Sequence, residues 1–131
     1  MSAKPHAGAV LFAKDVRRLA SFYQVVAELR PRTVETDHSV LESSAFQLVI
    51  HALPEHIAKR IHIDVPARPR EDTPIKLVFF VSDLSASRRA AVQLQGVVNE
   101  AHAEWRFEDT IVCDGHDPEG NVFQLRQPLV R

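Results

Sequence analysis

Disulfides cannot hold this chain together, because Cys113 is its only cysteine. The sequence therefore suits a reducing compartment. It also lacks a dominant charge. Lys and Arg number 16 against 17 Asp and Glu, a net charge of −1, so no global field draws the protein to nucleic acid or an anionic membrane. Long apolar runs are missing as well. The stretch LVFFV at 77–81 falls far short of the roughly 20 residues a spanning helix needs. The opening MSAKPHAGAVLFAKD has no cationic segment followed by a long apolar one, so no signal peptide is expected and a cytoplasmic location is. No glycine-rich phosphate loop occurs.

What is there fits one domain over residues 1–131, enough chain to bury about two thirds of its unfolded surface around a single core. Its first third reads as a strand over 8–14, then Asp15 as a helix N-cap, then a helix over 15–28. Val16, Leu19, Phe22, Tyr23 and Val26 recur in that helix at helical spacing. Pro31 stops the helix from continuing. SVLE and AFQLVIHAL then read as two strands joined by a short turn.

The pattern returns at KLVFFVSDLSASRRAAVQLQG, where an apolar strand meets Asp83 and a helix carries Leu84, Ala91 and Leu94 to a stop near Gly96. Aligning Asp15 with Asp83 pairs Val10 with Val78 and Phe12 with Phe80. VVNEAHAEW, TIVCDG and NVFQLRQ follow as strands. Phe-Gln-Leu occurs at 46–48 and again at 123–125, which supports a duplication. Between the halves, 54–74 carries four prolines and many charges, so it reads as a connector with a short helix at 55–61. The fold class is α+β: module one at about 6–53, the connector at 54–74 and module two at about 75–128.

Asp117-Pro118-Glu119-Gly120 places Asp, Pro and Gly where a type I turn wants them. A strand ending in Asp before a helix, repeated once, with DPEGNVFQL near the C-terminus, resembles the vicinal oxygen chelate superfamily over about residues 8–127. That group includes glyoxalase I, bleomycin-resistance proteins and extradiol dioxygenases. The resemblance implies two βαβββ modules in tandem, mixed sheets forming a cupped groove with helices outside, and a homodimer. It also implies four metal-ligand positions, which fall here on Gly8, on Gln47 or Val49, on Lys76 and on Gln124. Gly and Val offer no side-chain donor, a protonated Lys has no lone pair, and neutral amides make a weak site. No metal cofactor is expected. Lys76 is a candidate to meet an anionic oxygen in the metal's place.

Strand alternation puts Gly8, Val10, Phe12, Gln47, Val49, His51, Lys76, Val78, Phe80, Val122, Gln124 and Arg126 on the groove side. Trp105, the only tryptophan, is a candidate stacking surface for a flat ligand. The expected ligand-binding residues are Phe12, His51, Lys76, Phe80, Trp105 and Gln124, and the expected partner is a small molecule, held without metal. The protein then sequesters a toxic or antibiotic-like compound. The alternative is a metal-dependent glyoxalase-like lyase or isomerase, or a dioxygenase, with a divalent metal on His51, His116 and Gln124. Two further motifs carry less. His62-Ile63-Asp64 has facial-triad spacing but lies in the connector, and alternation separates Cys113 from Asp114 and His116, so they form no nucleophilic triad.

Overall fold

A computed structural model describes residues 5–129. Module one runs β1 (Ala7–Ala13), α1 (Val16–Val26), β2 (Arg30–Val34), β3 (His38–Glu42) and β4 (Phe46–Ala52). Asp15 caps α1, its carboxylate accepting from the Arg18 amide at 3.1 Å. Glu28, in the left-handed region at φ 57°, turns the chain away after it. The strand that the sequence left unplaced, β2, carries Pro31 at the outer edge of the sheet with a register shift beside it. A proline costs no ladder bond in that position.

After a single turn of helix, α2 (Glu55–Ala58), the connector leads to module two. Its elements are β5 (Leu77–Phe80), α3 (Leu84–Gln93), β6 (Val97–Val98), β7 (Trp105–Phe107), β8 (Thr110–His116) and β9 (Val122–Pro128). Asp83 caps α3 by accepting from the Ser85 and Ala86 amides. The stretch read as one strand, VVNEAHAEW, is two short ones, β6 and β7, separated by a 3-10 turn at Ala101–Ala103. The expected connector helix is likewise shorter, four residues instead of seven.

The strand orders β1-β4-β3-β2 and β5-β9-β8-β6 repeat one design, with β7 also on β8 and the first and last strands of each module parallel. Each sheet turns one face to the helices. Leu48, Ile50, Phe79, Phe123 and Leu125 are buried there, while Val10, Phe12 and Phe80 on the opposite faces are 58%, 54% and 61% exposed. Alternation is a sound guide here because each sheet packs on one side only.

Both modules share the core. Tyr23 from α1 packs against Phe79 and Phe123 at centroid distances of 5.6 and 5.9 Å, and Ser87 Oγ donates to the Val26 carbonyl at 2.8 Å. The DPEGN turn adds a polar latch between them. Glu119 accepts from the Lys14 and Asp15 amides, each at 2.8 Å, and Tyr23 Oη donates to Asp117 at 2.7 Å. Asp117 also accepts from the Glu119 and Asn121 amides. Burial raises the Tyr23 phenol well above its usual 10.0, with the Asp117 charge adding to it. Gly120, at φ 87°, lets the Arg68 carbonyl approach so closely that a Cβ would stand 2.2 Å from it. The Arg70 amide donates to the Gly120 carbonyl in the same place, tying the connector to the turn.

Candidate functional site

Strand register decides which residues stand at equivalent places. Val10 pairs with Val49 and Val78 with Gln124; one row on, Phe12 pairs with His51 and Phe80 with Arg126. Since Val10 and Val78 lie equally far from their helix caps, the module-one counterpart of Gln124 is Val49, and Gln47 sits two residues earlier. The repeated Phe-Gln-Leu is therefore out of step between the modules.

On the open face of module two, Gln124 belongs to a chain of bonds. Arg126 Nε donates to its Oε1 at 2.8 Å, its Nε2 donates to Asp114 at 3.2 Å, and Lys76 Nζ reaches the other Asp114 oxygen at 3.1 Å. Lys76 is thus ion-paired. This network borders a cavity of about 350 Å³ lined by Lys76, Asp114, His116, Asn99, Val122 and connector residues including Glu71 and Thr73. Burial lowers the His116 imidazole below its ordinary value, and its ring hydrogen-bonds to the Ala67 backbone. A second cavity of about 480 Å³ lies between the modules, walled by Val10, Leu11, Ile75 and Leu77 with Arg70 and Tyr23. Thr73 and Val122 line both cavities. One end of the pair is polar and the other apolar, with the connector along their border, the usual makeup of a small-molecule site.

Next to the network, aromatic groups stand in a row. Phe80 pairs with Arg126, Arg126 with Val112, and Val112 with Trp105. The Arg126 guanidinium lies 4.8 Å from the Phe107 ring centroid, a cation–π contact. Module one is plainer. Gln47 Nε2 donates to Glu42 at 2.8 Å, and Arg32 pairs with the same carboxylate at 3.1 Å. These bonds, Gln47 first, hold the Glu42 carboxyl below its usual value. His51 packs against Phe12 and His38 and bonds through Nδ1 to the Ala52 carbonyl.

The sequence matches the glyoxalase-like domain over residues 8–126. The chain belongs to that family, within the vicinal oxygen chelate superfamily. No curated protein matches it. Among solved structures, a glyoxalase/bleomycin resistance protein from Albidiferax ferrireducens T118 is similar at 17% identity and TM-score 0.64, covering 95% of this chain and 97% of that one. TioX from Micromonospora sp. ML1 is similar at 14% identity and TM-score 0.64, covering 96% and 100%. A variant of the fosfomycin resistance protein FosX from Listeria monocytogenes, in complex with Mn(II) and 1S,2S-dihydroxypropylphosphonic acid, is similar at 11% identity and TM-score 0.60, covering 99% and 93%. At these identities the likeness concerns the fold.

Does this glyoxalase-like chain fit the metal that the fold implies? Its four positions carry Gly8, Val49, Lys76 and Gln124, and they do not. A Cβ on Gly8 would stand 2.6 Å from the Gln47 carbonyl oxygen, so that position has no room for a ligating side chain without a backbone shift. Both polar ends of Gln124 are already bonded to Asp114 and Arg126. Among the described residues, no group of three or more His, Cys, Asp or Glu could hold a metal ion.

Of the expected site residues, Lys76 and Gln124 share one network, with Phe80 and Trp105 in the row beside it. Phe12 and His51 stand together on the open face of sheet one and line neither cavity described above. The alternative metal set is split in the same way, with His51 on β4 and His116 and Gln124 on β8 and β9. Cys113 is buried on the helix side, and burial raises its thiol. His62 is mostly exposed and pairs with Asp64 at 3.0 Å. Asp114 was missed as an anchor, although its alternation with Cys113 put it on the open face. The connector residues Arg70, Glu71 and Thr73, and Ile75 just after them, were missed too, and local pattern gave no signal for them because only tertiary folding lays them over the cavities.

Proposed function

We propose that this glyoxalase-like chain binds a small amphipathic molecule without a metal, in the paired cavities between module two, the connector and β1. Its role is then sequestration of a toxic or antibiotic-like compound. The observation that carries the reading is the Lys76–Asp114–Gln124–Arg126 network, which stands where the fold otherwise supplies metal ligands and bonds the polar groups there to one another. Such a network orients a ligand through its remaining donors and acceptors and offers no open coordination position.

The charges suggest the ligand class. Glu71 and Asp114 stand against Lys76 in the polar cavity, and Arg70 borders the apolar one. They balance formally, which suits a neutral or zwitterionic compound with an apolar, flat end. A second copy of the chain is part of the proposal, covering the exposed Val10 and Phe12 on the open face of sheet one.

The test is a titration with a panel of flat amphipathic compounds in the presence of a chelator, read by Trp105 fluorescence and calorimetry. Saturable binding that Asp114→Asn weakens is expected. Binding that appears only when metal is restored, or no response across the panel, would overturn the reading.

A further inference from the structure

On the helix side of the molecule lies a slot of about 340 Å³ between α1, the end of α3 and the connector. Its apolar wall comes from three distant segments. Val65 of the connector, Val92 of α3 and Val97 of β6 are 84%, 67% and 39% exposed. Three such valines converging on one concavity make an apolar lining that the protein itself leaves uncovered. Arg18 also lines the slot, and its Nε is buried without any acceptor. A buried donor on a charged group is costly to leave unsatisfied, and native proteins seldom do so without reason. Asp64 lines the slot as well, but its oxygens are held by Arg68 at 3.1 Å and His62 at 3.0 Å.

We propose that this slot is a second binding site, taking a small carboxylic acid whose carboxylate accepts from Arg18 and whose apolar tail lies on the three valines. Guanidinium–carboxylate bonds are the strong, charge-assisted kind. The site is separate from the reading above, sharing only His116, which lines both this slot and the polar cavity.

The experiment is a titration of the full chain with hexanoate and benzoate, using hexanol and benzyl alcohol as uncharged controls and following valine methyl resonances. The expected result is that Val65, Val92 and Val97 shift with the acids, which bind at about 1 mM or tighter and about tenfold better than the alcohols. Arg18→Gln should erase that preference, with the fold unchanged because Nε makes no bond within the protein. Val92→Glu, at an exposed position, should remove acid binding even if Arg18→Gln fails to fold. Acids and alcohols binding alike, Arg18→Gln binding like the parent, or no shift at these methyls would overturn the proposal. Shifts confined to Val10 and Val122 would also overturn it, by placing the acid in the other cavities.

Discussion

Val10 and Val78 stand equally far from their helix caps, yet the residue across the ladder is Val49 in module one and Gln124 in module two. Both modules own a glutamine bonded to a carboxylate on the neighbouring strand, Gln47 to Glu42 and Gln124 to Asp114. Only the second pair falls on the row that Val10 and Val78 mark in the two modules. The first is displaced by two residues toward its hairpin, where Arg32 of β2 joins it, whereas Lys76, just before β5, joins the second. A two-residue offset keeps each side chain on its face of the sheet. Duplicated modules can therefore hold the same bonded pair and the same parity while presenting it in different places. Module two borders the polar cavity, and module one contributes the apolar β1 wall of Ala9, Val10 and Leu11.

The turns between the last two strands differ as sharply. Module two's turn carries Asp117 and Glu119, which latch onto Tyr23 and the start of α1. Module one makes the same reversal with Ser43, Ser44 and Ala45. Asp117→Ala should break this asymmetry most severely. It strips acceptors from the buried Tyr23 hydroxyl and from the Glu119 and Asn121 amides, and about 3 kcal/mol or more of stability should go with them in a urea melt. Ser44→Ala in the exposed module-one turn should stay within about 0.5 kcal/mol. Equal losses would mean that the latch is not what joins the modules.

The next largest contrast concerns binding. Asp114→Asn should weaken a ligand of the paired cavities by about tenfold, as expected for the loss of one charge-assisted contact. Glu42→Gln, the same change in module one, should leave affinity as it was. If the two variants behave alike in calorimetry, the modules are not specialised in the way the register suggests.

Alkaline titration sharpens the comparison at Tyr23, the only tyrosine in the chain. Its folded pKa is raised above the usual 10.0, first by burial and then by Asp117. The unfolded chain releases this proton near 10.0 while the folded chain keeps it. Its contribution to stability is therefore fully present below that pH and falls as pH rises beyond it. Tyrosinate absorbance should appear together with unfolding, and Tyr23→Phe should remove this part of the alkaline slope. Tyrosinate forming in the folded protein near 10.0 would contradict the buried latch. The smallest effect belongs to Arg32→Ala, which removes an exposed ion pair in module one and should leave the melting temperature unmoved.

Much of this was legible in the sequence. Asp15 and Asp83 announced both helix caps, and alternation placed Phe12, Phe80 and Gln124 on open faces, because caps and one-sided sheets are local rules. The register was harder to read. Phe-Gln-Leu at 46–48 and 123–125 invited an alignment that the ladders reject, since a tripeptide carries no information about which partner lies across from it. The connector was least legible. Its prolines and charges marked a linker, and nothing local told that Arg70, Glu71 and Thr73 would line cavities. Among the described residues no helix is long and apolar enough to cross a membrane, as the sequence led one to expect.

The central proposal is that this glyoxalase-like chain works without the metal its fold implies, because Gly8, Val49, Lys76 and Gln124 stand at the positions that the resemblance gives to ligands. Elemental analysis of untagged protein, purified without chelator and measured again after dialysis against Ni, Mn, Fe and Zn, tests it most directly. Metal at background in every case is the expected result. Near-stoichiometric metal that survives dialysis into metal-free buffer would contradict it.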